Sequence, residues 1–214
     1  VPAPDTPRRP YDASRRQEAA RRSRTAVLAA WRDLLLRDGY HAVTVRAVAD
    51  RAGVSAETVH KAFGGKAGLM KTLWDVTLAG DDEPVPMAAR PALQEVLRTR
   101  DPRRKLRLYA AFVRDVHERL APLFLFMSQA GPEAARVLAA GEAERLAGVT
   151  AFVTHLADEG LLRAGTDTAR TADACWALTG PQLHQQLTKE RGWPPAAYED
   201  WLTTTLTTTL PLAP

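Results

Sequence analysis

The stretch VRAVADRAGVSAETVH, Val45 to His60, holds two short amphipathic helical patterns separated by a single glycine. Thr44 is a natural N-cap for the first, residues 45–52, and Gly53 supplies the left-handed residue that stops it. Ser55 caps the second, residues 56–62. A helix-turn-helix makes three demands: a small residue where its helices cross, a turn residue that tolerates positive φ, and a branched anchor on the second helix. Ala49, Gly53 and Val59 occupy those places, with Val48, Ala52, Val54 and Ala62 completing an apolar inner face. An ordinary helical hairpin reuses the same small residue and glycine, so the surroundings have to decide between the two.

Charge is one such surrounding. Residues 1–65 carry twelve Lys and Arg against seven Asp and Glu, whereas the remainder carries seventeen against eighteen. A basic first third beside a near-neutral remainder suits a nucleic-acid module joined to a second domain. Residues 1–14 are rich in proline and arginine and read as a disordered arm, and Arg8, Arg9, Arg15 and Arg16, read as part of that flexible arm, raise nonspecific affinity for DNA or enter a minor groove. From about residue 15 to 38, Val27, Leu28, Trp31, Leu34 and Leu35 recur at helical spacing, which gives the hairpin a supporting helix. A further helix spans about Lys66 to Leu78.

Past the proline-broken stretch AGDDEPVPMAARP every pattern is helical: 91–99, 102–119, 121–130, 132–159, and a segment from Asp167 or Thr168 to Leu187 that Gly180-Pro181 splits. The threonine-rich tail YEDWLTTTLTTTLP has strand propensity, but Tyr198, Trp201 and Leu202 fall at helical spacing, so a helix from Pro194-Pro195 to Pro211 is expected. The fold class is therefore all-α: a three-helix DNA-binding domain over 15–65 and a helical effector-binding and dimerisation domain over 66–214. Without an apolar run of 18 residues or a signal segment, a cytoplasmic protein with no membrane partner is expected. Cys175 is the only cysteine, which excludes an intrachain disulfide and argues against a thiolate metal cluster, so no metal or cofactor is expected.

Residues 24–75, RTAVLAAWRDLLLRDGYHAVTVRAVADRAGVSAETVHKAFGGKAGLMKTLWD, resemble the DNA-binding domain of the tetracycline-repressor (TetR) family of bacterial transcriptional regulators. Residues 172–206 are similar to the end of many such proteins. The family usually has a tyrosine where His60 stands, often with a second aromatic residue and a histidine in place of Lys61 and Ala62; Phe63, Lys66 and Leu69 match. The resemblance implies double-stranded operator DNA, a small-molecule effector and a homodimer as partners.

On a recognition helix the exposed N-terminal face reads bases, and helix ends and flanking cations hold phosphates. Ser55, Ala56, Glu57, Thr58, His60 and Lys61 form that face, and Thr44 and Arg46 stand at the start of the preceding helix. Arg46 resembles a family position that reaches a base or phosphate. Glu57 either accepts from a cytosine amino group or points away. Lys66, at a helix N-terminus that already favours anions, grips phosphate by resemblance. In the larger domain Phe112, His117, Phe124, Phe126, Met127, His155 and Trp176 are the residues suited to a small-molecule pocket. By resemblance the last two helices dimerise, with Trp176, Leu183, Leu187, Trp201, Leu202 and Leu206 supplying apolar stripes for a four-helix bundle.

No catalytic constellation is legible: the five histidines are dispersed, none of the four serines sits in GxSxG, and there is no HExxH, P-loop or GxGxxG. The expected function is a DNA-binding regulator, a repressor released from a palindromic operator by its effector. The rival is a ligand-independent architectural DNA-binding dimer, and a helical enzyme stands well behind both.

Overall fold

The computed structural model describes residues 13–214, with side chains from residue 15. The arm expected over 1–14 lies outside the described residues, apart from the backbone of Ala13 and Ser14, which already belongs to the first helix. Among the described residues the chain is helical, and its single β-type pairing is an isolated bridge between Leu162 and Leu212. It divides into two compact units, Val1–Thr72 and Leu73–Pro214.

In the first unit α1 spans Ala13–Asp38, α2 Val45–Ala52 and α3 Ala56–Phe63. Arg15 and Arg16 are thus exposed on α1 and not on an arm. The cap chemistry is as the sequence demands. Thr44 accepts from the Ala47 N–H and Ser55 from the Thr58 N–H, each at 3.1 Å. Gly53 closes α2 in the left-handed region at φ 69°, and its following residue Val54 donates back to the Ala49 carbonyl at 3.0 Å. Val27, Leu28, Trp31, Leu34 and Leu35 of α1 are buried with Val48 and Ala49 of α2 and Val59 and Phe63 of α3. Ala62, expected on the inner face, is exposed instead, because α3 is short and Val59 and Phe63 already fill the single inward stripe its length allows.

Helix α4 runs from Lys66 to Ala79, so the division between the units falls inside it. Gly64 and Gly65 both take positive φ and turn the chain tightly between α3 and α4. The turn brings Gly68 so near the end of α3 that a Cβ there would overlap the Phe63 carbonyl oxygen.

The second unit comprises α5 (Pro91–Arg98), α6 (Pro102–Met127), α7 (Pro132–Asp158), α8 (Thr168–Leu178), α9 (Pro181–Gln185) continued by a π-helical turn over Gln186–Glu190, and α10 (Pro195–Thr209). The division of α6 expected near residue 120 does not occur. Pro122 lies inside one continuous helix. It forfeits one backbone bond, but Leu120, Ala121 and Leu123 are all buried, and that packing carries the helix across. Gly180-Pro181 does separate α8 from α9, as expected. The tail is helical, and its threonine hydroxyls find their partners along the helix itself: Thr204, Thr207 and Thr208 donate to the carbonyls of Asp200, Thr203 and Thr204. That leaves Tyr198, Leu202 and Leu206 on one buried face of α10, in a core with Leu106, Val153, Leu156 and Cys175.

Candidate nucleic-acid interface and ligand cavity

The outer face of the helix-turn-helix is built by caps that fix its side chains. Ser55 Oγ and Thr58 Oγ1 lie 2.9 Å apart, so both hydroxyls are tied to the first turn of α3 while remaining exposed. Glu57, His60 and Lys61 are exposed on the same helix, Ala56 is half-buried, and Thr44 and Arg46 are exposed at the start of α2. Arg46 and Lys61 carry no ion pair among the described residues, which leaves both charges available to a polyanion. Elsewhere in the unit cations are committed: Arg51 pairs with Asp33 at 2.9 Å, and the Arg24 guanidinium lies 5.1 Å from the Phe63 ring centroid.

Lys66, the residue expected to grip phosphate, is tied to the loop after α1. Its Nζ donates to the Tyr40 carbonyl at 2.6 Å and lies 4.3 Å from the Tyr40 ring centroid. The ammonium therefore ties the loop after α1 to the start of α4. Both partners are uncharged, so the ammonium keeps its positive charge while it is held in place.

The second unit contains a cavity of about 400 Å³, walled by α4, α5, α6, α7 and the start of α9. Of the expected pocket residues, Phe112, His117, Phe124 and His155 line it; Phe126, Met127 and Trp176 do not. Successive turns of α6 explain the split between Phe124 and Phe126, which point away from each other, and Met127 is packed in the interior. Tyr109 stacks on Phe152 with centroids 4.0 Å apart, which makes a flat aromatic wall.

The polar groups of the wall are few and mostly self-paired. Arg145 donates to Glu142 at 2.7 Å and to the Trp176 carbonyl at 2.9 Å, with its guanidinium 4.8 Å from the Trp176 ring centroid. Trp176 thus holds the back of that arginine and is not a wall itself. His155 Nε2 lies 2.8 Å from Nζ of the fully buried Lys105, whose amine also donates to the Leu97 carbonyl at 3.2 Å. Burial lowers the Lys105 pKa from the usual lysine range. His117 is different: its Nδ1 is buried without a partner among the described residues, and burial, then His184 with its ring 5.3 Å away, pushes its pKa down to about 3. The neutral form is therefore the one present at ordinary pH.

Cys175 is buried, and burial pushes its thiol up to about 12, which leaves it unreactive. No group of three or more His, Cys, Asp or Glu is placed to hold a metal among the described residues, and no described helix is long and apolar enough to cross a membrane.

The model of the bacterial regulatory proteins of the tetR family matches residues 27–73, the segment that carries α2, α3 and the start of α4. Over that segment the chain is similar to the tetR family. Solved structures of tetR-family regulators share its fold over most of its length. NalD, the secondary repressor of the MexAB-OprM multidrug efflux pump in Pseudomonas aeruginosa, is 22% identical with a TM-score of 0.65, covering 90% of this chain and 98% of its own. FadR from Bacillus subtilis is 15% identical with a TM-score of 0.66, covering 87% and 98%. SmeT, the repressor of the Stenotrophomonas maltophilia efflux pump SmeDEF, is 18% identical with a TM-score of 0.62, covering 89% and 90%. No curated protein sequence matches the chain.

Two wall residues had no signal in the sequence: Trp74 of α4 and Gly141 of α7, to which only their proximity gives meaning. The apolar stripe expected at the dimer interface also needs revision. Leu202 and Leu206 are 0% exposed within the single chain, so they have no surface to offer a second copy. Trp176, Leu183, Leu187 and Trp201 remain partly exposed.

Proposed function

We propose that this chain is a tetR-family transcriptional regulator that binds palindromic operator DNA as a homodimer and is released by a small molecule held in the cavity of its second unit. The observation that carries the reading is the cavity itself: about 400 Å³, mostly apolar and walled in part by α4, the helix that begins directly after the recognition helix. An architectural DNA-binding protein has no use for such a space. The B. subtilis FadR structure holds stearoyl-CoA, and SmeT has been captured with triclosan.

Each recognition helix covers a short half-site, so two copies about 34 Å apart, one turn of DNA, are needed for useful specificity. The partly exposed Trp176, Leu183, Leu187 and Trp201 are the surface proposed to join them. Ser55, Ala56, Glu57, Thr58, His60 and Lys61 face the bases, with Thr44 and Arg46 beside them. A ligand that favours one setting of α4 alters the separation of the two recognition helices, and a few ångströms of mismatch releases the DNA.

Selection of DNA from a random pool by the full chain at physiological salt tests the reading. Enrichment of one palindrome is expected, with uniform coating as the contrary result. On the selected site Arg46→Ala should cost about 1–3 kcal/mol and relax one base position. Lys66→Ala, which removes both the tie to Tyr40 and a positive charge, should lower the melting temperature and shrink the salt slope of binding by about one, as equilibrium titrations across salt concentrations will show.

A further inference from the structure

The geometry points to an uncharged, largely apolar molecule carrying a hydrogen-bond acceptor as the ligand of the cavity, read by the indole N–H of Trp74, whose edge packs against Gly141. The inference rests on the cavity being an effector site and specifies what the effector must carry.

Trp74 is 6% exposed and lines the cavity, and its Nε1 is buried with no acceptor among the described residues. A buried N–H without an acceptor is costly to keep, and a ligand oxygen relieves that cost. Gly141, also in the wall, packs directly against that edge of the indole. It sits in the middle of α7, where glycine is a poor helix former and alanine the best. An ideal Cβ at that position would stand 2.8 Å from Trp74 Nε1 and 3.0 Å from the adjoining ring carbons, closer than real side chains approach. The one residue that spares the indole edge is therefore the one present.

A second unsatisfied group lies in the same wall. His117 Nδ1 is buried and unpartnered, and the ring is neutral at ordinary pH, so it pairs with a hydroxyl or carbonyl without demanding a charge. The charged members argue the same way. The Arg145 guanidinium is occupied by Glu142 and two backbone or hydroxyl oxygens, Trp176 O and Thr179 Oγ1, so it offers no free cation to a carboxylate. Glu142 is occupied by Arg145 in turn, and Glu144 is solvent-exposed. The remaining surface is aromatic and aliphatic: Tyr109, Phe112, Phe124 and Phe152 with leucines and valines. Burying an ion there without a partner is disfavoured.

Four rigid tricyclic probes of one shape separate these elements: fluorene, 9-fluorenone, 9-fluorenone-4-carboxylate and the ammonium of 9-aminofluorene. Calorimetry with the full chain should give 9-fluorenone about ten-fold tighter than fluorene, and both charged probes weaker than either. The indole proton of Trp74 should move in NMR spectra with 9-fluorenone and stay with fluorene. Trp74→Phe, which keeps an aromatic ring and removes the N–H, should bring 9-fluorenone and fluorene to the same affinity. Gly141→Ala should also abolish the difference, and it does so without weakening α7 as a helix. Equal binding of fluorene and 9-fluorenone by the unmodified chain would overturn the assignment of the indole while leaving the cavity a ligand site. Tightest binding of either charged probe would overturn the uncharged class. Failure of all four to bind would remove the effector reading beneath it.

Discussion

Below pH 6.5 the second unit is expected to lose stability steeply, because two buried histidines resist protonation in the folded state. His117 and His184 are 5% and 1% exposed. Burial, reinforced by the neighbouring His184, pushes His117 down to about 3, and burial with Lys189 pushes His184 down to about 4. Arg145 adds further positive potential at His117, and Tyr198 packs edge-on against His184 with its own hydroxyl unpartnered, so neither neighbour welcomes a proton. An unfolded histidine titrates near 6.5, so between that value and about pH 4 the unfolded chain binds more protons than the folded one. Stability is then full above about pH 7 and falls with decreasing pH, by about 1.4 kcal/mol per pH unit for each histidine. Two units of pH thus remove about 5 kcal/mol, comparable with the lower end of a whole domain's stability. Urea titrations at half-unit intervals from pH 7.5 to 4.5 will show the slope. His184→Phe should halve it, and an unchanged slope in that variant would contradict the assignment.

The second large effect lies in the first unit. Trp31 is 0% exposed and meets Tyr40 edge to face with centroids 6.0 Å apart, while its Nε1 is buried without a partner. Trp31→Ala leaves a cavity the neighbouring side chains cannot fill and should cost about 3–5 kcal/mol. Trp31→Phe leaves a smaller void and removes the unsatisfied N–H, so its cost should be much smaller. Thermal unfolding followed by circular dichroism, beside DNA binding at a temperature where the alanine variant has melted, distinguishes the two. Equal losses would mean that the indole N–H matters more than the ring's volume.

The helix-turn-helix was readable because each of its parts is a local chemical requirement. A hydroxyl at 44, a glycine at 53 and a hydroxyl at 55 each serve a backbone need within four residues, and the structure shows the same atoms in those bonds. The continuity of α6 was less legible, since proline at 122 is a local signal to stop and the burial that overrides it is not local. The same reasoning covers Lys66, whose partner, the Tyr40 carbonyl, lies 26 residues earlier in the chain. In the cavity the large side chains of α6 drew attention, while Trp74 and Gly141 did not, because their significance is a distance between α4 and α7. Leu202 and Leu206 illustrate a further ambiguity: one apolar stripe serves a chain's own core or a second copy equally well, and only burial in the folded chain separates the uses.

The central claim is that cavity ligand and operator DNA compete through the same protein, which thermodynamic linkage makes reciprocal. The direct measurement is the affinity of the selected operator duplex for the full chain, read by fluorescence anisotropy in the absence and presence of saturating 9-fluorenone, with 9-fluorenone binding then titrated with and without that duplex. The account predicts that each weakens the other by the same factor, between about five-fold and 150-fold; identical operator affinity with and without the bound ketone would contradict it.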